Sequence, residues 1–581
     1  MGVLRYFKYI YDNYQSSLIH INNKNICYKF INQTKENVKM PICNFLAFDL
    51  NSIIHPICQK AYNYNQPNNK FKKFKKSQNK FINPQIIYQQ ICNKMLDIIL
   101  LLNPQNEIYI AIDGVAGMSK INQQRKRRFT SVKTKTPEEL NTFDSNCISA
   151  GTVFMDKCSK FIHFWILNTL KPMYPNIKII FSNEKVIGEA EHKIIRYIQN
   201  NYRENYNYIV QSPDADLIML LLGLSKIVNF NKLIHLNNLW IYRDNIYDFI
   251  DTQYFLVDID DLYKTTVDML KNSNKNFDDF NAIIDYILMI EFTGNDFLPT
   301  VPSMELVDNN LNNMFEIYKS INKHLTRYNI VIDTKTKKLK PKFYLRRKSL
   351  YYWFYKMAQT ETNMLYLKST KRLMFPDLIL NECINFNNKS RRDNFTEGVF
   401  NNDIDVEKYR RLYYNKKIIQ TSNSNLNPQE IIADMCNQYF KKLTFVLRYY
   451  LHEIPDWRYV YTYHYSPFFN EMYKHIKNFD SKCKFNKNNP FNNLQQLISI
   501  LPRESIKLLP IELQTLFDNN SPIIHMYPQD FLIDNEGKKT DHESIIILPF
   551  VDDNLLLSEF NKINLNENSK KLNINGKINY Y

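Results

Sequence analysis

The triplet DAD at 214–216 sets two carboxylates at alternate positions, which share one face of an extended segment. GEAE at 188–191 brings Glu189 and Glu191 to the entrance of a helical pattern, and TGNDFLP at 293–299 carries Asp296 after another apolar stretch. Asp49 and Asp113 close two further apolar runs, FLAFDL and EIYIAID. Taken singly, each of these acids looks like an ordinary helix cap or solvent-facing residue. Their recurrence at strand ends is the signal, because ligand sites in open α/β sheets form outside the carboxyl ends of the strands. Seven acids drawn together (Asp49, Asp113, Glu189, Glu191, Asp214, Asp216, Asp296) repel one another unless cations neutralise them. An all-oxygen ligand set selects hard ions, Mg²⁺ or Mn²⁺, and a pair of such ions suits hydrolysis of a phosphodiester.

Immediately after Asp113 comes a basic stretch, DGVAGMSKINQQRKRRF at 113–129. Lys120, Gln124, Arg127 and Arg128 fall at i, i+4, i+7 and i+8, one face of a helix. Such a face is either solvated or a donor array for an anion, with Arg offering a bidentate fork to phosphate. Its closeness to Asp113 favours the second reading: a terminal phosphate in the basic pocket and a scissile phosphate on the metals.

The elements that must position these residues follow from patterning. Runs at 45–50, 107–113, 176–182 and 206–211 have strand length and are each followed by turn residues and a helical pattern, so an α/β unit with a mostly parallel sheet flanked by helices is expected. Beyond about residue 300 the chain turns helical and rich in Tyr and Phe, with polar stretches near 384–404 and 420–428. The expected domains are 1–305 for the metal site and phosphate pocket, 306–553 for a second, largely helical region closing over the site, and 554–581 as a low-complexity polar tail.

Composition narrows the partners. A net charge of +17 and a pI near 9.1 favour a polyanion, although the surplus of Asn, Ile, Lys, Tyr and Phe is also what A+T-rich codons produce. With only 10 glycines in 581 residues, those that survive mark backbone needs. Gly114, Gly188 and Gly294 lie within two residues of a candidate acid, while Gly2 and Gly151 belong to the segments 1–10 and 143–152. Nine cysteines without a C-x-x-C pair suggest neither a zinc site nor a disulfide framework, and hence a reducing compartment. The absence of a signal-peptide core or a long apolar run argues against secretion and membrane insertion. A cytoplasmic monomer is expected. The basic KKFKK (72–76), in the Lys/Asn-rich loop 60–83, leaves nuclear entry and a nucleic-acid strip open.

At these residues the sequence resembles the XRN family of 5′→3′ exoribonucleases. The resemblance rests on MGVLRYFKYI (1–10), FDLNSIIH (48–55), IDGVA (112–116), KINQQRKRRF (120–129), FDSNCISAGT (143–152), GEAEHK (188–193), DADLIM (214–219) and GNDFLP (294–299). It continues through PDW (455–457), YHYSP (463–467), SPII (521–524), YPQDF (527–531), GKK (537–539) and LPF (548–550). It implies a nuclease core of the PIN/FEN-like kind, the seven acids as metal ligands, and Lys120, Gln124, Arg127 and Arg128 as a small pocket for a 5′-monophosphate that excludes a cap or triphosphate. His55 and Trp457 match aromatic positions that stack on the first base, in a processive enzyme releasing 5′-mononucleotides from single-stranded RNA, with decapping or RNA-processing partners. Departures are Gly117 and Met118 where the family has Pro-Arg, Thr300 where it has His, and Phe445 where it has Trp. Two other functions compete. A DNA flap endonuclease would need a Gly-rich helical clamp after the acids, which is not seen; a catalytically inactive RNA-end-binding scaffold would be favoured by a missing acid, and all seven are present.

Overall fold

The computed structural model describes residues 6–22, 25–62, 64, 82–133, 135, 143–224, 226–229, 232–245, 252–273, 275–304, 310–332, 339–371, 373–384, 404–420 and 426–581. The loop 60–83 with KKFKK falls mostly outside them, as do Gly2 with the rest of 1–5 and most of the stretches near 384–404 and 420–428.

Four apolar runs form the strands Phe45–Asp49, Glu107–Ala111, Lys178–Ser182 and Tyr208–Gln211, and all are mutually parallel. Their order across the sheet is 178–182, 107–111, 45–49, 208–211, continued by a fifth parallel strand, Leu239–Asp244. Strands of this kind are buried on both faces and read as unbroken hydrophobic runs, which is why their sequences are legible. Their side chains alternate between two cores. Ala47, Tyr109, Ile180 and Val210 meet the helices Ala190–Asn201, Asp216–Leu224 and Asp279–Glu291. Leu46, Phe48, Ile108, Phe181 and Ile209 meet the helices Asn51–Tyr62, Pro84–Leu102 and Val153–Trp165.

The sheet is larger than its parallel centre. Tyr254–Asp258 pairs antiparallel with 239–244, then come Leu18–Ile21, Cys27–Ile31 and Thr34–Asn37, all antiparallel. On the opposite edge Asn579–Tyr580 pairs antiparallel with 178–182. Residues 554–581, expected as a tail from their polar composition, thus hold an edge strand as well as the helix Glu567–Leu572 and most of Asp553–Phe560. Leu556 and Phe560 are buried in the second region's core, and Asn493 and Leu494 hydrogen-bond Leu572 and Asn573, so a few well-placed contacts outweigh the composition.

The second region is largely helical, its longest element Pro428–Leu451, which opens with a capping box between Asn427 and Glu430. It also contains two hairpins, Thr326–Ile332 with Leu339–Leu345 and Leu532–Asp534 with Ile545–Ile547. A core of Leu497, Ile498, Leu501, Phe517 and Tyr527 packs against Met118, Ile121 and Phe129 of the basic helix Met118–Lys133. Arg125, only 1% exposed, donates to the Ser499 carbonyl at 3.0 Å and stacks its guanidinium on Phe129 and Tyr527. The second region therefore fixes the helix that carries the predicted phosphate donors. Among the described residues no helix is long and apolar enough to cross a membrane, and all nine cysteines are free and buried.

Candidate active site

Strand order reverses between 45–49 and 208–211: chain continuation leads one way through 107–111 to 178–182 and the other way from 208–211 to 239–244. A crevice opens at the carboxyl ends of strands at such a switch point. Asp49 ends the first strand, and Asp214 follows the other by three residues. Both acids line a cavity of about 560 Å³ together with Asp113, Glu189, Glu191 and Asp296.

Local chemistry holds each acid in place. Asp49 accepts from Ser212 Oγ at 3.0 Å. Asp113 accepts from Asn51 Nδ2 at 2.9 Å and from the Ala190 backbone N–H at 2.8 Å, at the start of the helix 190–201. Gly114 makes this approach possible: its N–H donates to the Gly188 carbonyl at 3.0 Å, and a Cβ there would lie 2.0 Å from the Val186 carbonyl oxygen. Gly188 itself has φ +108, a conformation that favours glycine. Asp296 sits in a tight turn after Gly294 (φ +87), where Asn295 Oδ1 accepts from the Phe297 and Leu298 N–H groups and Thr300 Oγ1 donates to the Thr293 carbonyl at 2.9 Å. Thr300, the departure from the family's His, is thus a brace for the acid-bearing turn.

The charges respond to crowding. Burial, then Asp113 and Asp214 beside it, pushes the Asp49 carboxyl up to about 7. Burial with Asp296 and Asp214 does the same to Asp216, also about 7, and burial raises Asp113 and Glu191. Lys120 supplies the counter-charge: its Nζ lies 2.8 Å from Glu189 Oε2 and 2.9 Å from Asp296 Oδ2. Against a burial penalty that acts upward, Lys120 holds the Asp296 carboxyl down at about 2.

The site also departs from its sequence reading. Lys120 lines the cavity with Gln124, Arg127 and Arg128, but it pairs with acids and not with the other donors. Asp216 does not line the cavity; it is buried behind it, 2% exposed, at the start of the helix 216–224. His55 lines the wall, kept neutral because burial and the nearby Arg127 and Arg128 push its pKa down to about 3. Trp457 is not at the cavity. Its carbonyl accepts the Met118 N–H at 2.8 Å, fixing the entrance of the basic helix, and its ring packs against the main core. Gly117 fits the same junction, where a Cβ would lie 2.4 Å from Ile454 Cδ1.

Several further side chains shape the site. Tyr6, Phe7 and Arg243 line the wall, with the Arg243 guanidinium 3.5 Å above the Phe7 ring. Lys193, buried with its pKa pushed down to about 7, donates to the Ile112 and Asn183 carbonyls at 2.7 and 2.9 Å and ties the two acid-bearing loops together. From the second region, the Tyr449 hydroxyl donates to Glu189 Oε1, and Lys442 Nζ reaches Ser119 Oγ. Lys193 stands inside the GEAEHK block, so its burial had a sequence signal; Tyr449 and Lys442 had none.

On the phosphate side, Arg128 donates to Ser149 Oγ at 2.6 Å and to the Asn146 carbonyl at 3.3 Å, while its Nε and Gln124 Oε1 are buried without a partner. Burial, then the charge of Arg127, disfavours the Arg128 cation, and a bound anion would relieve both effects. Among the described residues no three His, Cys, Asp or Glu side chains are drawn together closely enough, as they stand, to hold a metal ion. The donor set nonetheless suits a hard divalent ion: carboxylate oxygens throughout, with Asp49 and Asp216 pushed to about 7 by burial and by the neighbouring carboxylates.

Comparison with known proteins gives two family matches. Residues 1–234 match the family described as XRN 5'-3' exonuclease N-terminus, and residues 276–347 and 356–579 match the Xrn1 helical domain. The chain is 26% identical to human 5'-3' exoribonuclease 1 over 97% of its length and 34% of that protein's. It is 25% identical to 5'-3' exoribonuclease 2 of Schizosaccharomyces pombe (92% of the chain, 71% of the relative) and 24% identical to 5'-3' exoribonuclease 1 of Saccharomyces cerevisiae (96% and 43%). The chain thus spans about a third to under three quarters of the length of these three relatives.

Proposed function

Since the chain belongs to the XRN family of 5′→3′ exonucleases, we propose that it is a 5′→3′ exoribonuclease, hydrolysing single-stranded RNA that carries a 5′-monophosphate and releasing 5′-mononucleotides processively. The observation that carries this reading is a single cavity holding six carboxylates and, on the facing helix, Gln124, Arg127 and Arg128. Asp49, Asp113, Glu189, Glu191, Asp214 and Asp296 would hold Mg²⁺ or Mn²⁺, with Asp216 supporting them from behind. Such ions supply a water nucleophile and neutralise charge on the scissile phosphate.

The chain's own residues do the rest. Arg127, exposed at the cavity, and Arg128, with an unpartnered Nε, grip the terminal phosphate, and Gln124 offers a neutral contact. A group larger than a monophosphate would meet Asn146 and Ser145 on the wall beside Arg128. His55, neutral at the pH of the reaction, presents a flat ring for the first base. Residues 1–305 carry the chemistry and 306–553 hold the basic helix in place.

The test is to offer one RNA with a 5′-monophosphate, a triphosphate or a hydroxyl, with Mg²⁺, and to analyse the products. Mononucleotide release from the monophosphorylated RNA alone supports the reading. Binding without hydrolysis would favour an end-binding scaffold, and cleavage of branched DNA in its place would favour a flap endonuclease.

A further inference from the structure

On the outer side of the second region, the helix Arg347–Ser369 presents a surface that the active site does not use. Its inner side is apolar: Trp353 and Phe354 pack on Phe292, with ring centroids 5.3 and 5.7 Å apart, just before the turn that carries Asp296. Lys348, Tyr351, Tyr352, Tyr355 and Lys356 recur at i, i+3, i+4, i+7 and i+8, which is one helical face. Tyr352 is 54% exposed and Tyr355 42% exposed, unusual for rings of this size.

These side chains form a continuous strip. The Tyr351 ring lies 5.5 Å from Tyr352 and 4.8 Å from Tyr473, and Tyr473 lies 5.2 Å from Tyr355. Cations interleave with the rings: Lys477 Nζ is 3.9 Å from the centre of Tyr351, and Lys323 Nζ is 5.9 Å from that of Tyr352. Beside Tyr352 a concavity of about 220 Å³ is walled by Ile321, Lys323, Ser349 and Lys356. Arg346, Arg347 and Lys348 extend the positive charge, and the first carboxylate on the helix, Glu361, is buried on the other side at 2% exposure.

A solvated basic face needs no exposed aromatic rings, and an apolar protein contact would not surround its rings with lysines. Rings alternating with cations suit one class of ligand, a single-stranded nucleic acid, whose bases stack on aromatics while its phosphates meet the ammonium groups. We propose that this strip is an accessory binding surface for single-stranded RNA, engaging the body of the strand independently of its 5′ end. The proposal does not depend on the nuclease reading, because the surface lies outside the catalytic cavity and needs no hydrolysis.

The experiment is fluorescence anisotropy of the full chain in EDTA with 5′-hydroxyl oligouridylates, one long (about 30 nucleotides) and one short (about 5). Two double variants are compared with the unaltered chain: Tyr352→Ala with Tyr355→Ala, and Lys323→Glu with Lys356→Glu. Removing the two rings is expected to weaken the long RNA on the order of 10–100-fold, and the short one, which meets the same rings but fewer cations, by no more than that. Replacing the two lysines is expected to flatten the dependence of log affinity on log salt by at least about 1.4. Thermal scans of both variants check folding, which these exposed positions should spare. Unchanged affinity and salt slope for the long RNA in both variants would overturn the proposal. So would a strip that binds polyglutamate and not RNA.

Discussion

Replacing Lys120 by Met removes the cation between Glu189 and Asp296, and the structure sets the size of the effect. Lys120 Nζ contacts both carboxylates within 3 Å, with its side chain 13% exposed. Asp296 is held at about 2 rather than the ordinary 3.8, against burial and chiefly by Lys120 with Arg127 also contributing, which is on the order of 2–3 kcal/mol. Stripping one partner from a buried pair costs about 3–5 kcal/mol, in the same range. Without the ammonium, the Asp296 carboxyl should climb toward the value of about 7 reached by Asp49 and Asp216.

The sign of the pH dependence follows. In the unaltered chain the depressed Asp296 contributes stability above the unfolded value of 3.8, and that contribution is lost only as pH falls toward 2. In the Met variant the same group binds its proton more tightly when folded, so stability falls as pH rises from about 4 to about 7. The loss relative to the unaltered chain is therefore expected to be about 2–3 kcal/mol greater near pH 8 than near pH 5, because a carboxyl with a folded pKa near 7 loses stability across that interval. Urea denaturation in EDTA at the two pH values measures it. An equal loss at both, or a loss below about 1 kcal/mol near pH 8, would refute the assignment of Lys120 as the internal counter-ion.

Asp49 and Asp216, both raised to about 7 from 3.8, make the metal-free chain less stable as pH rises through that interval; Mn²⁺ should raise the melting temperature more near pH 8 than near pH 5, and a shift independent of pH would contradict the crowding argument. Gly114→Ala forces a Cβ to within 2.0 Å of the Val186 carbonyl, so a loss of about 1–3 kcal/mol with weakened Mn²⁺ affinity is expected, and normal values on both counts would show that the loop can yield. Asp214→Ala should reduce mononucleotide release by at least about 100-fold at any RNA concentration, whereas Arg127→Ala should chiefly raise KM for monophosphorylated RNA. Equal effects of the two substitutions on kcat would merge the metal-holding and end-binding roles.

How much of this was legible in the sequence depends on the kind of interaction. The parallel strands could be read because each is an unbroken apolar run, and the acids at their ends because turn and helix signals follow at once. Helical spacing groups Lys120 with the phosphate donors, but it reports angle around the axis and not height along it. Eight residues from Lys120 to Arg128 rise about 12 Å, enough for one end of the face to meet the acids and the other the phosphate wall. Arg243 reaches the cavity through sheet order, on the strand 239–244, and Tyr6 and Phe7 reach it from the helix Tyr6–Asn13, placements that their own neighbours in sequence do not encode. Trp457 matches a stacking position by residue type, yet what it offers the basic helix is a backbone carbonyl, which residue type does not reveal. The polar composition of 554–581 hid the alternating contacts of Leu556, Phe560 and the edge strand.

The central claim is that metal ligands and phosphate donors share one cavity. The most direct measurement is anomalous scattering from a crystal of the chain soaked with Mn²⁺ and a nucleoside 5′-monophosphate. Mn²⁺ is expected about 2.0–2.4 Å from oxygens of Asp49, Asp113, Glu189, Glu191, Asp214 or Asp296, with the phosphate on Arg127 and Arg128 in the same cavity. Mn²⁺ bound away from these carboxylates, or a phosphate held elsewhere while the cavity's acids are occupied, would contradict it.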